Sequence, residues 1–382
     1  MSASEVPAAL AAIGCAAVLA CGSAAAAAPV APTAAAPPAA APTATPAPPF
    51  APVTAGHPLE FPADFGSHPE FRTEWWYVTG WLTTRAGESL GFQVTFFRTK
   101  PAIDEANPSA FTPRQLVIAH CAISDPTRGR LWQDQRVRRA GQGLAGAATG
   151  DTRVSADRWT LARDASVYRA DIDAEDFSLN LTLEATQPPL INGNAGVSRK
   201  GPAPSSASYY YSLPHLAVTG RVTRNGSVDT VDGEAWFDHE WSSEYLDSEA
   251  VGWEWIGINL NDGGALMAFR IRGSHGEARW AGGSLRGADG GVQILQPADV
   301  QFSAGRNWRS PRTGIAYPVE WHVRAGSREF DLEPLLDDQE NDTRLSTGAI
   351  YWEGAVRAFE KRRPVGRGYL ELTGYGERLR LR

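Results

Sequence analysis

The sequence predicts an all-β protein in which two antiparallel units, barrels or sandwiches, follow one another after a disordered Ala/Pro-rich N-terminal segment. Three observations carry this. Thirteen Trp and 38 Gly against two Met form a composition of strand-filling aromatics and turn-forming glycines, with hardly a helical run. Short strand-like segments separated by turn residues recur from Glu74 almost to the C-terminus. The aromatic run Glu74-Trp75-Trp76-Tyr77-Val78-Thr79-Gly80 is echoed by Trp253-Glu254-Trp255-Ile256-Gly257.

At 382 residues the chain is long enough for two full cores, and 43% hydrophobic with 21% charged residues is ordinary globular composition. A net charge of -7 provides no basic field for a phosphate backbone, so nucleic acid is set aside as a partner. Of three cysteines, Cys15 and Cys21 fall in the leader, leaving Cys121 alone in the folded part, where it reads as a small buried hydrophobe.

Residues 7 to 28 are apolar, Ala-rich and of signal-peptide length, although Glu5 stands where a basic n-region is usual. Val18-Leu19-Ala20-Cys21-Gly22 resembles a bacterial lipobox. A lipidated Cys21, simple secretion and a retained start are the open alternatives, the first implying a periplasmic or outer-membrane-anchored protein. The following Ala, Pro and Thr tract cannot bury enough apolar surface to fold and reads as a tether. The expected organisation is a signal peptide over 1–22, a linker over 23–56, one domain over 57–241 and a second over 242–382.

The first hairpin is expected over Glu74 to Thr84 and Leu90 to Thr99, turning at Arg85-Ala86-Gly87-Glu88. Strand patterns continue to Val228–Trp241, with Asn225-Gly226 as a tight turn before it and a break between Leu213 and Leu216. Aligning Trp76 with Trp253 puts Gly80 on Gly257, and a shortened hairpin brings Phe97-Arg98 onto Phe269-Arg270, which suggests a duplicated unit.

His68-Pro69-Glu70-Phe71-Arg72-Thr73-Glu74-Trp75-Trp76-Tyr77, Gly91-Phe92-Gln93-Val94-Thr95-Phe96-Phe97-Arg98, Ala235-Trp236-Phe237-Asp238-His239-Glu240-Trp241 and Tyr351-Trp352-Glu353-Gly354 occur in that order. Together they resemble the AttH-type lipocalin-like family, which includes carotenoid 1,2-hydratases (hydroxyneurosporene synthases) and proteins called predicted secreted hydrolases. The resemblance runs from about His57 to the C-terminus. It implies two tandem lipocalin-like β-barrels. It also implies a hydratase chemistry in which acid and histidine side chains protonate a C=C bond and water captures the carbocation. His239 and Trp241 match the family's His-x-Trp element; for its Tyr-x-Asp element the only downstream triplet is Tyr245-Leu246-Asp247, in the connection between strands.

On a strand from Glu234 to Trp241, alternation puts Phe237, His239 and Trp241 on one face and Trp236, Asp238 and Glu240 on the other. His239 is therefore either an aromatic-packed core residue or a proton donor facing an apolar ligand. Glu254 shares a face with Ile256, Ile258 and Leu260, as an acid of raised pKa or as half of a buried ion pair with Arg270 or Arg98. His239, Glu254 and Asp238 are the candidate catalytic residues. Trp241, Trp236, Trp253, Trp255 and Trp76 are the candidate ligand-contacting rings, with barrel core as the alternative for each. His239, Trp241 and Glu254 are expected to border one apolar cavity. His120, His215 and His239 lack metal-ligand spacing, and no cofactor is expected.

The leading expectation is an exported lipocalin-like protein that binds an apolar isoprenoid- or lipid-like small molecule near the domain junction. The alternatives are a cofactor-independent hydratase or hydrolase acting on such a molecule, and an accessory protein handing ligand to an ABC-transporter permease.

Overall fold

The computed structural model describes residues 50–101, 107–109 and 111–378; the leader with Cys21, and the Ala/Pro/Thr tract as far as residue 49, lie outside them. The first thirteen strands are β1 (Thr73–Thr84), β2 (Ser89–Thr99), β3 (Leu116–Asp125), β4 (Arg130–Arg139), β5 (Ala145–Ala147), β6 (Arg153–Ala156), β7 (Trp159–Asp164), β8 (Val167–Asp173), β9 (Phe177–Ala185), β10 (Leu190–Ile191), β11 (Val197–Arg199), β12 (Ala207–Arg224) and β13 (Ser227–Ser242). Twelve more follow: β14 (Gly252–Leu260), β15 (Ala265–Arg272), β16 (Ala278–Arg286), β17 (Val292–Leu295), β18 (Val300–Ala304), β19 (Asn307–Arg309), β20 (Ala316–Pro318), β21 (Trp321–Ala325), β22 (Arg328–Pro334), β23 (Glu340–Thr343), β24 (Ala349–Glu360) and β25 (Arg363–Leu372). Among the described residues the only helical segments are the short turns Ala63–Phe65 and Pro297–Asp299.

Strands β1 to β13 form one antiparallel sheet in the order β4-β3-β2-β1-β13-β12-β9-β8-β7-β6-β5, with β10 and β11 beside β12. A second sheet runs β17-β16-β15-β14-β25-β24-β22-β21-β18, with β23 beside β24, while β19 and β20 pair separately. Each large sheet curls into a nearly closed barrel, as a lipocalin-like fold requires. Side chains bridge both closures. Arg138 on β4 donates to Asp157 between β6 and β7 at 2.6 Å, and Arg270 on β15 donates to the Phe302 carbonyl on β18 at 3.2 Å.

Alternation along the strands sorts the apolar residues into three cores. Trp76, Val78 and Leu82 of β1 fill the first barrel, and Ile256, Ile258 and Leu260 of β14 fill the second. The outward faces of the same strands pack against each other: Tyr77, Trp81, Tyr210, Trp236, Trp255 and Phe269 are buried together between the barrels. An aromatic ring buries on the order of 150–250 Å², so this seam is a core in its own right. Gly91 permits the close approach, since a Cβ there would lie 2.7 Å from both the Ala355 Cβ and the Tyr369 hydroxyl across the seam.

Three sequence expectations need correction. The linker ends earlier than residue 56: Ala51 and Val53 pack on the first core, and the Ala51 amide donates to the Glu70 carbonyl at 3.0 Å. The break between Leu213 and Leu216 is a bulge inside the single strand β12. Pro214 has no N–H for the ladder and His215 adopts φ 56°, so the register slips there without ending the strand.

The third correction concerns the duplicated hairpin, whose register is shifted. Glu74 stands opposite Arg98 in the first barrel and Glu254 opposite Arg270 in the second, so Glu74 corresponds to Glu254. The match of Phe97-Arg98 to Phe269-Arg270 therefore holds, while the match of Trp76 to Trp253 does not. Shifting a strand by an odd number of residues exchanges its faces. Gly80 accordingly points into the first barrel, against Phe92, whereas Gly257 points into the seam, against Trp236 and Trp255.

Candidate active site at the inter-barrel seam

His239 lies inside the first barrel, fully buried. Its Nε2 is 2.9 Å from Glu74 Oε1 and its Nδ1 is 3.1 Å from the Tyr211 hydroxyl, with Trp76 stacked on one side at 4.8 Å between ring centres. Glu74 also accepts from Arg98 Nε at 2.8 Å and lies 2.7 Å from His68 Nδ1, and His68 Nε2 reaches Asp64 at 3.2 Å. Trp241 stacks face to face on His68 at 3.8 Å.

The charges in this network are locked. Burial alone would push His68 down, but hydrogen bonds to Asp64 and Glu74 outweigh it and carry the imidazole up to about 9. Burial would raise Glu74, yet His239, His68 and Arg98 together hold its carboxyl well below the usual range. Burial, with the charge of His68 beside it, keeps His239 below its ordinary value. Hydrogen bonds to Glu74 at Nε2 and to the Asp64 carbonyl, 3.1 Å from Nδ1, oppose that fall.

Among the described residues, donor atoms of His68, Glu74 and His239 also converge, all within 4.8 Å of one another. The carboxylate oxygen nevertheless sits at hydrogen-bond distance, 2.7 and 2.9 Å, from the two ring nitrogens, and Arg98 holds its second oxygen. Zinc ligands bound at about 2.0 Å would spread further apart. The arrangement is a hydrogen-bonded ion network.

Glu254 occupies the equivalent place in the second barrel. Arg270 donates to it at 2.7 Å, the Tyr375 hydroxyl at 2.6 Å, and Arg272 pairs with its other side. Of the two readings open for Glu254, the ion pair with Arg270 is the one present. The expected shared cavity of His239, Trp241 and Glu254 is therefore corrected: the two acids and their partners sit in separate barrel interiors. The recurrence of a buried Glu–Arg pair at equivalent rungs marks it as a structural element of the hairpin, to which only the first barrel adds histidines.

Asp238 faces the other way, into the seam, as alternation from His239 requires. It accepts from the Tyr210 and Ser212 hydroxyls at 2.6 Å each and from Trp236 Nε1 at 2.7 Å. Burial raises its carboxyl to about 7 despite those three donors. Across the seam Glu353 and Glu371 stand directly opposite each other on β24 and β25. Burial, relieved in part by the Trp253 indole N–H at 2.8 Å and reinforced by the charges of Asp238 and Glu240, lifts Glu371 to about 7. Burial and the neighbouring Glu371 push Glu353 up as well. Glu240 completes the set, held by Lys200 at 3.0 Å.

The seam also has an aromatic mouth. Trp75, Tyr245 and Trp253 are partly exposed and adjoin one another, with ring centres 5.3 Å and 6.5 Å apart, and Glu371 beside Trp253 keeps part of its surface open. Trp255 lies deeper, its indole N–H donating to the Tyr210 hydroxyl at 3.1 Å. The predicted ligand-contacting rings thus divide: Trp76 and Trp241 belong to the first barrel's interior, while Trp236, Trp253 and Trp255 line the seam.

Sequence reasoning does not find Glu353, Glu371 or Tyr210 as site residues. They come from strands β24, β25 and β12, and nothing local marks which outward face will be covered. The one available signal is an acid at an outward position among aromatics, Tyr351-Trp352-Glu353, inside a segment already singled out by its motif.

A family model described as AttH-like matches residues 52–375. Over 248 residues the chain is 26% identical to a protein named kievitone hydratase from Fusarium solani subsp. phaseoli, covering 61% of this chain and 68% of that one. It is 24% identical to dehydratase asqC of Emericella nidulans over 53% of this chain and 56% of that one, so it spans little more than half the length of that relative. A crystal structure described as AttH from Nitrosomonas europaea superposes with a TM-score of 0.81 at 52% identity, covering 85% of this chain and all of the other. With four motifs in order, two tandem barrels and a family match over most of its length, this chain belongs to the AttH-like family, a lipocalin-like family with hydratase and dehydratase members.

Proposed function

We propose that this protein is a hydro-lyase-type enzyme that adds or removes water at a carbon–carbon double bond of an apolar substrate held in the inter-barrel seam. The observation that carries the reading is the pair of seam carboxyls, Asp238 and Glu371, each raised to about 7. Proton transfer is most effective from groups whose pKa lies near the working pH. The carboxylates of Glu74 and Glu254 are instead each paired with buried or half-buried guanidinium groups inside the barrels.

In the hydration direction, protonated Asp238 donates its proton to the less substituted alkene carbon. The π electrons form the new C–H bond, leaving a carbocation on the more substituted carbon. Trp253 and Trp255 present electron-rich faces that favour such a cation. Water attacks this carbon and loses its proton to the Glu371 carboxylate, closing the balance. Dehydration is the same path reversed. The names of the two enzyme relatives support this reaction type, and the aromatic mouth supports an apolar substrate.

The test is incubation of the protein with kievitone and a panel of trisubstituted alkenes in isotopically labelled water, read by mass spectrometry. Label appearing as a tertiary alcohol with the native protein and absent with Asp238→Asn supports the reading. Equal incorporation by Asp238→Asn removes Asp238 as the acid.

A further inference from the structure

A surface cleft of about 550 Å³ opens at the end of the seam away from the acids; Trp81, His215, Glu234, Arg357, Gly366 and Arg367 are among the residues that line it. The ladder between β24 and β25 explains its character. Three alternate rungs share the seam face: Glu353 opposite Glu371, Ala355 opposite Tyr369, and Arg357 opposite Arg367. The acid pair and the arginine pair therefore cap the two ends of one strip, roughly 14 Å apart at the usual strand rise.

Side chains directly opposite on an antiparallel pair have Cβ atoms about 5 Å apart, and like charges there repel. Among the described residues no carboxylate lies within ion-pair distance of either guanidinium. Both instead flank the Trp81 ring, at 5.0 and 5.8 Å from its centre. Glu234 is the one acid in the cleft wall, and it is occupied by His215 Nδ1 at 2.6 Å, while His215 Nε2 faces the Gly264 carbonyl at 2.7 Å. With acceptors at both nitrogens the imidazole is held as a cation. The cleft thus carries three positive groups against one carboxylate, and Lys361 and Arg362 follow in the exposed β24–β25 turn, with exposed Arg363 at the start of β25.

We propose that this cleft is a binding site for a small-molecule oxyanion, a carboxylate or phosphate group seated between the guanidinium groups of Arg357 and Arg367 beside Trp81. Arginine presents its donors in a planar fork suited to both groups. A bound anion would relieve the repulsion within the Arg357–Arg367 rung. The site stands on the charge and shape of this end of the seam and requires no turnover at the other.

The experiment is isothermal titration of the full-length protein with inorganic phosphate and, separately, with decanoate, at low ionic strength. Saturable binding of at least one is expected, weakened roughly tenfold or more by Arg357→Gln or Arg367→Gln, the loss expected for a charged hydrogen-bond partner. The Lys variants, which keep the charge without the fork, should bind with intermediate affinity. Phosphate alone would assign the site to free phosphate or a phosphate ester, decanoate alone to a carboxylate-bearing amphiphile, and both to any oxyanion. Thermal midpoints of all variants establish that they are folded; the Lys variants supply the comparison if a Gln variant unfolds. No saturable binding of either probe by the native protein, or unchanged binding by the double Gln variant, would overturn the site.

Discussion

Asp238 and His239 are neighbours in the chain and face opposite sides of one sheet: the Asp238 carboxyl meets Tyr210 of the adjacent strand β12 on the seam face at 2.6 Å, while the His239 ring meets Glu74 inside the first barrel at 2.9 Å. One step of strand alternation thus separates a carboxyl poised near neutrality from an ion network with fixed charges. The same division organises the variants that distinguish chemistry from scaffold.

Asp238→Asn keeps the size of the side chain and removes the acid. Turnover in labelled water is expected to fall by about 100-fold or more, the usual worth of a positioned proton donor. The fold should survive, because an amide oxygen in the place of Oδ1 can still accept from Ser212 and Trp236; losing acceptance from the Tyr210 hydroxyl, which bonds the other oxygen, costs about 1–3 kcal/mol. Rate constants and thermal midpoints measured together check this, and a large fall in midpoint with intact turnover would reverse the assignment.

The same carboxyl makes stability depend on pH. Asp238 has a folded pKa of about 7 against an ordinary 3.8, so the native state holds its proton more tightly. The resulting stability is complete below the ordinary value and is lost as pH rises through about 7, at up to ~1.4 kcal/mol per pH unit. Denaturant midpoints compared at pH 4 and pH 8 should therefore show a larger decline in the native protein than in Asp238→Asn. Parallel declines would mean that the group is ionised throughout.

Glu74→Gln and Glu254→Gln should behave alike in stability and alike in sparing the chemistry. Each strips a fully buried carboxylate from its guanidinium partner, leaving Arg98 in one barrel and Arg270 with Arg272 in the other uncompensated. Breaking a buried pair in this way costs about 3–5 kcal/mol. In Glu74→Gln the His68 pKa, carried up to about 9 in the native protein partly by Glu74, should fall towards its ordinary 6.5. An NMR titration of the His68 ring follows this. Turnover per folded molecule by Glu254→Gln should equal that of the native protein; a specific loss would return Glu254 to the catalytic set.

What the sequence makes legible follows from the range of each signal. The inward and outward faces of β1, β13 and β14 are readable because alternation is local, and so is the placement of Asp238 away from His239. The Glu254–Arg270 pair is readable because hairpin partners lie close in the chain. The seam is not. Asp238 meets Tyr210 from the neighbouring strand and its charge acts on Glu371, 133 positions onward in the numbering, and an outward aromatic face looks the same whether solvent or a second barrel covers it. The duplication was legible in its Phe-Arg half, where the residues occupy one rung. Its Trp half misled, because Trp76 and Trp253 are both bulky strand residues and composition carries no parity.

The seam also predicts the shape of the pH–rate profile. For hydration Asp238 must be protonated and Glu371 ionised, so the rate rises as Glu371 loses its proton and falls as Asp238 does. With both near 7 the profile is a narrow bell centred close to neutrality, and its limbs report apparent values of the coupled set. Trp253→Phe removes the indole N–H that donates to Glu371 at 2.8 Å, a contact that favours the ionised carboxylate. Without it the Glu371 pKa rises, so the acidic limb should move to higher pH while the alkaline limb, governed by Asp238, stays in place and the peak rate declines. Initial rates across pH 5 to 9 for the native protein and Trp253→Phe decide the matter. A shift of the alkaline limb alone would exchange the roles of the two carboxyls, and an unshifted bell of reduced height would make Trp253 a substrate contact with no influence on the base.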